Sequence, residues 1–311
     1  MPLDPHARRL LDMVAAGSTD PIPATIEARR RAFRALMSFS DGEGATAFVE
    51  ERSLPGPDSV LRARLYRPHD SPSGSLPGLV FFHGGGLVAG SVETHDPICR
   101  VLANETGCGV VSVDYRLAPE HPFPAAVRDA GAATLWVIEN ATSLGLDSAR
   151  IGVGGDSAGA ALAAVVCQGA GPRPAFQLLL CPITDFAGET RSRQDFATGY
   201  LVDAAMVRRD LDHYLPREID PADPMVSPSR GRDFRDQPPA FIHTAEYDPF
   251  RDEGEDYARR LEEAGIAVAQ TRHRGMIHLF YALPRAIPYA RHAMRQIGAE
   301  IKAALRQIGR A

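Results

Sequence analysis

An α/β domain with a mostly parallel central sheet, an N-terminal hairpin and a helical cap is the fold class that this 311-residue sequence predicts. Three observations carry it. Short apolar runs (GLVFFHG, GVVSVDY, RIGVGGD, FQLLLCP and PAFIHTAEYD) alternate with longer helical stretches; strands buried on both faces and separated by helices build βαβ units around a parallel sheet. Ahead of them, residues Ala45 to Pro68 alternate apolar and polar side chains around Pro55, Gly56, Pro57 and Asp58, the pattern of two antiparallel strands joined by a turn. Residues 1–42 and 186–222 break the rhythm and read as helices, and insertions of that size usually lie over the site of an α/β domain. The expected organisation is one α/β domain, residues 43–185 and 223–311, covered by cap pieces at 1–42 and 186–222.

Composition excludes several functions. Lys and Arg total 34 against 39 Asp and Glu, a net charge of −5, so there is no electrostatic footprint for nucleic acid. The local exception is EARRRAFRAL, with Arg29, Arg30, Arg31 and Arg34. Ile26, Phe33 and Met37 recur there at helical spacing, so the run reads as the solvated face of an amphipathic helix, an anionic partner being the alternative. The first twenty residues lack a long apolar segment with a processing site, and the longest apolar run, Ala158 to Cys167, is too short to span a bilayer. A cytoplasmic protein without membrane insertion is expected. Cys99, Cys108, Cys167 and Cys181 form no CxxC and pair with no His at metal-ligand spacing, so four reduced, mostly buried thiols and no metal site are expected.

The chemistry is concentrated in three places. Gly155, Asp156, Ser157, Ala158 and Gly159 make a G-x-S-x-G elbow between an apolar strand and a small-residue helix, where a sharp turn pushes the serine oxygen clear of the backbone. A phosphate loop is excluded, because the chain has no GxxxxGK[ST] and the glycines at 152, 154, 155 and 159 do not give G-x-G-x-x-G. A serine nucleophile needs a base, and the base an orienting acid, in the order Ser, acid, His at later strand ends. Asp248 lies just beyond a strand running to Glu246, and His278 just beyond one ending near Arg274. His243 and His273 fall within strands, and Asp252 one helical turn after Asp248, where it reads as a helix N-terminal charge. An oxyanion must then be met by backbone N–H groups. Ala158 supplies one, and Gly84 and Gly85 are assigned the others, with Gly86 permitting the bend. Phe33, Met37, Phe39, Leu201, Val202 and Met206 supply apolar bulk to roof Ser157 and favour short acyl chains.

HGGG at 83–86, DYRLAPEHPFPAA at 114–126, GDSAG at 155–159, DPFRDEG at 248–254 and a late histidine together resemble the hormone-sensitive-lipase-like (bacterial family IV) carboxylesterases of the α/β-hydrolase superfamily. The resemblance runs from about Thr46 to the C-terminus. It implies the α/β-hydrolase fold, esterase activity on short acyl chains with no cofactor, and a homodimer, which the apolar last strand IAVAQTRHR and the C-terminal helix would build. Three positions depart from the family pattern: Leu87 stands where Phe often follows HGGG, Cys181 where Tyr is common, and Leu279 and Phe280 follow His278 in place of Gly-Phe. Leu87 is thereby expected to widen the acyl pocket. Amide, lactone or thioester hydrolysis on the same site is the alternative, as is a non-catalytic ligand receptor resembling the plant gibberellin receptors, in which the histidine position is lost. His278 argues against the receptor.

Overall fold

A computed structural model describes residues 1–17, 25–40, 47–70, 74–169, 171 and 173–308. The expected hairpin is present as β1 (Ala47–Pro55) and β2 (Val60–Pro68), paired antiparallel; residues 45 and 46, expected to begin it, and 41 and 42, expected to end the first cap piece, lie outside the described residues. The apolar runs form β3 (Leu76–Phe82), β4 (Gly109–Asp114), β5 (Leu146–Asp156), β6 (Gln177–Leu180), β7 (Ala240–Tyr247) and β8 (Val268–Ile277). Among the described residues these make one sheet in the order β1-β2-β4-β3-β5-β6-β7-β8. β2 meets β4 antiparallel, and every later pair is parallel. Leu79, Val80, Phe81 and Phe82 are successive in β3 yet all fully buried, so both faces of the sheet centre are covered.

The helices are α1 (Pro5–Gly17), α2 (Ile26–Met37), α3 (Asp96–Thr106), α4 (Ala125–Glu139), α5 (Ala158–Gln168), α6 (Arg191–Asp195), α7 (Ala204–Tyr214), α8 (Arg251–Glu263) and α9 (Tyr289–Ile308). α3 packs on α9, and α4 on α5. α5 consists almost wholly of buried small residues, which lets it lie close on the sheet. Thr25 caps α2 by accepting from the N–H of Ala28, and Asp203 caps α7 by accepting from that of Ala205. No helix among the described residues is long and apolar enough to cross a membrane.

Two expectations from the sequence need correction here. β8 runs beyond Arg274 to Ile277, because its apolar end packs in the core while the pairing with β7 shifts register between Ala245 and Tyr247. The arginine run is not uniformly solvated: Arg29 and Arg30 are partly buried and hydrogen-bonded, whereas Arg31 and Arg34 are exposed or outward-facing on α2.

Candidate active site

β5 ends at Asp156 and α5 begins at Ala158, which leaves Ser157 as the single residue of the turn. Its φ of 53° and ψ of −118° are sparsely populated for a side-chain-bearing residue and mark a strained elbow. Glycine is required beside it. A Cβ on Gly159 would stand 2.1 Å from the carbonyl oxygen of Phe82, so only hydrogen lets α5 approach β3 this closely.

Asp248 directly follows β7, and His278 directly follows β8. The two strands are parallel neighbours with Tyr247 opposite Ile277, so the next residue of each emerges at the same place. His278 Nδ1 lies 2.8 Å from Asp248 Oδ2, and His278 Nε2 lies 3.0 Å from Ser157 Oγ. All three side chains are buried. Asp248 Oδ1 accepts the N–H of Phe250 at 2.8 Å, and the Phe250 ring stands edge-on to the imidazole with centroids 5.3 Å apart. Burial, with the neighbouring Asp248 carboxylate, pushes the Cys181 thiol well up, so it keeps its proton. Cys181, Asp248 and His278 have donor atoms within 4.8 Å of one another, and both imidazole nitrogens of His278 are hydrogen-bonded, Nδ1 to Asp248 and Nε2 to Ser157.

The rival residues are elsewhere. His243 Nδ1 and His273 Nε2 face each other at 3.2 Å, and His273 Nδ1 meets the Tyr289 hydroxyl of α9 at 3.1 Å. Asp252 sits in the first turn of α8 and accepts the N–H of Ser192 at 2.8 Å, tying α6 to α8.

The glycine loop differs from the expectation by one residue. Gly84 gives its N–H to Asp156 Oδ1 at 2.9 Å and does not reach the space over Ser157. Gly85 and Gly86 do line that space. The N–H groups of Gly85, Gly86 and Ala158 have no acceptor among the described residues. Gly85 adopts φ +125°, and a Cβ there would stand 2.2 Å from the carbonyl oxygen of Ala89. The Asp156 carboxylate that holds Gly84 also meets His95 Nε2 and the Tyr281 hydroxyl, each at 3.3 Å. Burial pushes the Asp156 carboxyl up, but His95 and the Gly84 N–H more than offset it and hold it below the usual carboxylate range. A cavity of about 430 Å³ opens above Ser157.

Residues 79–282 match the family described as alpha/beta hydrolase fold. The chain belongs to that family. It is 42% identical to the carboxylic ester hydrolase LipN of Mycobacterium tuberculosis over 282 residues, 86% of this chain and 73% of LipN. It is 36% identical to the ethyl acetate hydrolase of Pseudomonas putida, across 93% of this chain and 95% of that one. Among solved structures, the ester hydrolase EH1AB1 from the metagenome of Lake Arreo, complexed with a derivative of bipyridine phosphonate, is 42% identical with a TM-score of 0.93, covering 97% of this chain and 98% of that one. The resemblance to hormone-sensitive-lipase-like carboxylesterases holds, and the protein is an esterase that hydrolyses carboxylic esters.

In this α/β-hydrolase the cavity wall includes Phe33, Phe39, Leu201, Val202 and Met206. Leu87 and Met37 are not part of it. Leu87 takes φ 65° in the turn after the glycines and is buried in the core, while Met37 closes the last turn of α2 and packs into the core as well. The sequence reading missed Ile183, Phe186, Phe250 and the stripe Val207, Leu211 and Tyr214 on α7. That stripe was legible: the three recur at helical spacing inside the expected insertion. Met13 and Val14 of α1 also line the cavity while remaining exposed, which places them at its rim.

Proposed function

We propose that the esterase cleaves short-chain carboxylic esters through an acyl-enzyme on Ser157. The observation that carries this reading is the hydrogen-bonded chain Asp248, His278, Ser157, open to an apolar cavity of limited size. His278 Nε2 takes the Ser157 proton as Oγ attacks the acyl carbon, and returns it to the departing alkoxide. Asp248 keeps the proton on Nδ1 and stabilises the imidazolium. Water, deprotonated by His278, then attacks the acyl-enzyme and releases the acid. The oxyanion of each tetrahedral intermediate is met by the N–H groups of Gly85, Gly86 and Ala158, with Gly84 serving to fix the loop.

Two helical pieces, α1 with α2 and α6 with α7, act as the cap that bounds the acyl pocket. A relative named for ethyl acetate, whose acyl group has two carbons, supports a short-chain preference. Four buried free thiols fit a reducing compartment, and the reading places the enzyme in the cytoplasm. Incubation with nitrophenyl acetate and butyrate, followed by an organophosphate, tests the reading. Turnover that ceases as one phosphoryl group appears on the Ser157 peptide supports it; a label elsewhere, or none, overturns it. Amide, lactone and thioester substrates in the same assay fix the leaving-group class.

The reading includes a homodimer through the outer edge of the sheet. β8 is an edge strand, and among the described residues the backbone cover it receives on its outer side is the N–H of Asp4 on the Gly275 carbonyl at its far end. The remaining edge can pair with a second copy. Light scattering near twice 33.6 kDa supports this, and a monomer mass at micromolar concentration refutes it.

A further inference from the structure

Arg29 of the arginine run turns into the active-site cavity. Its Nε lies 3.3 and 3.2 Å from the two oxygens of Asp210 on α7, and its Nη2 lies 2.9 Å from Oδ2. The two side chains are only 11% and 8% exposed, and both residues belong to the wall of the cavity over Ser157. The carboxylate in turn rests on the glycine loop, since a Cβ on Gly86 would stand 2.2 Å from Asp210 Oδ2. Arg30, the next residue of α2, anchors the helix to the chain just beyond that loop by donating to the carbonyl of Val88 at 2.8 Å, and to the segment after β4 by donating to that of Ala118 at 3.1 Å. A charged pair thus sits in the cavity wall against Gly86, beside the place where the oxyanion would form.

We propose that Arg29 is a positioning residue for ester hydrolysis, holding the Asp210 carboxylate and cancelling its charge beside Gly86 so that the oxyanion faces donors and no bare anion. This rests on the reading of Gly85 and Gly86 as oxyanion donors to an ester attacked by Ser157. An unpaired carboxylate against the loop would repel the oxyanion in a site where water screens poorly, and would raise the barrier without weakening binding of the neutral substrate. The cation comes from the N-terminal helical piece and the anion from the inserted one. The field at the loop is therefore complete only when the two pieces are docked on each other. Burial raises the Asp210 carboxyl above its ordinary value and Arg29 pulls it back, as befits a charge that depends on this partner.

A pair that merely stapled the two helices would suffer alike from loss of either member, and this separates the two roles. The experiment measures kcat and KM for nitrophenyl butyrate at alkaline pH, where an unpaired Asp210 is ionised. Wild type, Arg29→Met, Asp210→Asn, the double variant and Ser157→Ala are compared, with folding checked by circular dichroism. Arg29→Met is expected to lower kcat by about ten- to a hundredfold with KM within about threefold, because the charge acts on the transition state. The double variant, which has no charge to cancel, is expected to recover at least about tenfold over Arg29→Met. A smaller recovery, or Arg29→Met at the wild-type kcat, overturns the proposal. If Arg29→Met does not fold, Asp210→Asn decides alone: it leaves a cation beside the loop, so a kcat above wild type supports the proposal and one at or below wild type overturns it. Turnover retained by Ser157→Ala would instead remove the acyl-enzyme reading itself.

Discussion

The backbone N–H of Gly84 donates to Oδ1 of Asp156 at 2.9 Å, which ties the glycine loop to the residue just before the nucleophile. One carboxylate thereby joins four parts of the site: Gly84 after β3, His95 before α3, the elbow itself, and Tyr281 three residues past His278. Its own chain position fixes Ser157, so the loop is held in register with the oxygen it must serve. Preorganisation of this kind is what makes backbone donors effective, since they need not reorient as charge develops.

Asp156→Ala removes that tie and leaves the buried Gly84 N–H without its acceptor. Each buried polar group so orphaned costs about 1 to 3 kcal/mol. A loss of about 2 to 5 kcal/mol in stability is expected, together with a fall in kcat approaching the roughly hundredfold that follows loss of one oxyanion donor. Denaturant unfolding and nitrophenyl ester turnover check both parts. A folded Asp156→Ala variant with wild-type kcat would show that the carboxylate supports the fold alone.

Ser157→Ala and His278→Ala are each expected to lower kcat by about four to six orders of magnitude while leaving the fold intact. His273→Ala serves as the contrast. His273 is engaged with His243 and Tyr289, so its removal is expected to lower the melting temperature and to spare most of kcat. The reverse pattern would mean that the imidazole working on Ser157 has been misassigned.

Stability is expected to fall in acid through two buried histidines. Burial pushes His83 down to about 3, aided by the neighbouring His95, and pushes His273 down to about 3, aided by His243. The ordinary value is near 6.5. Below it the unfolded chain takes up a proton that the folded chain refuses, so stability is complete above about pH 6.5 and is lost as pH falls toward 3. Each histidine contributes a slope of about 1.4 kcal/mol per pH unit in that window. Urea unfolding at pH 7 and pH 5 measures it, and His273→Gln should flatten the difference. An unchanged difference in that variant would locate the acid sensitivity elsewhere.

How much of this was legible in the sequence depends on the range of the interaction that decides each feature. The central strands were legible because burial on both faces leaves apolar runs, and Asp248 and His278 because each follows a strand end. Gly84 was not legible as a loop anchor, since the direction of its N–H is settled by Asp156, 72 residues away. Arg29 was misread for the same reason. Helical spacing shows which face of α2 is apolar, but only the fold brings Asp210, 181 residues on, over the adjoining strip. Leu87 failed differently, because its positive φ turns the side chain into the core, and backbone sign at a non-glycine residue leaves no mark in an apolar pattern.

The acyl preference should follow from where the cavity ends. Each CH₂ buried in an apolar wall contributes about 0.8 kcal/mol, about fourfold in kcat/KM, so activity should climb from acetate until the chain meets the far wall and then drop sharply. Phe33 of α2 and Val207 and Leu211 of α7 line the cavity, and they are expected to form that wall. A maximum within about two to eight carbons is expected for nitrophenyl esters run from acetate to palmitate. Val207→Phe adds bulk on α7 and should move the maximum to a shorter acyl chain, because overfilling a packed wall costs about 1 to 3 kcal/mol. Phe33→Ala should move it to a longer one by opening the α2 side. A continuous rise to palmitate in the wild type, or a maximum that stays put in both variants, would mean that these helices do not bound the acyl group and that the chain leaves past Met13 and Val14 at the rim.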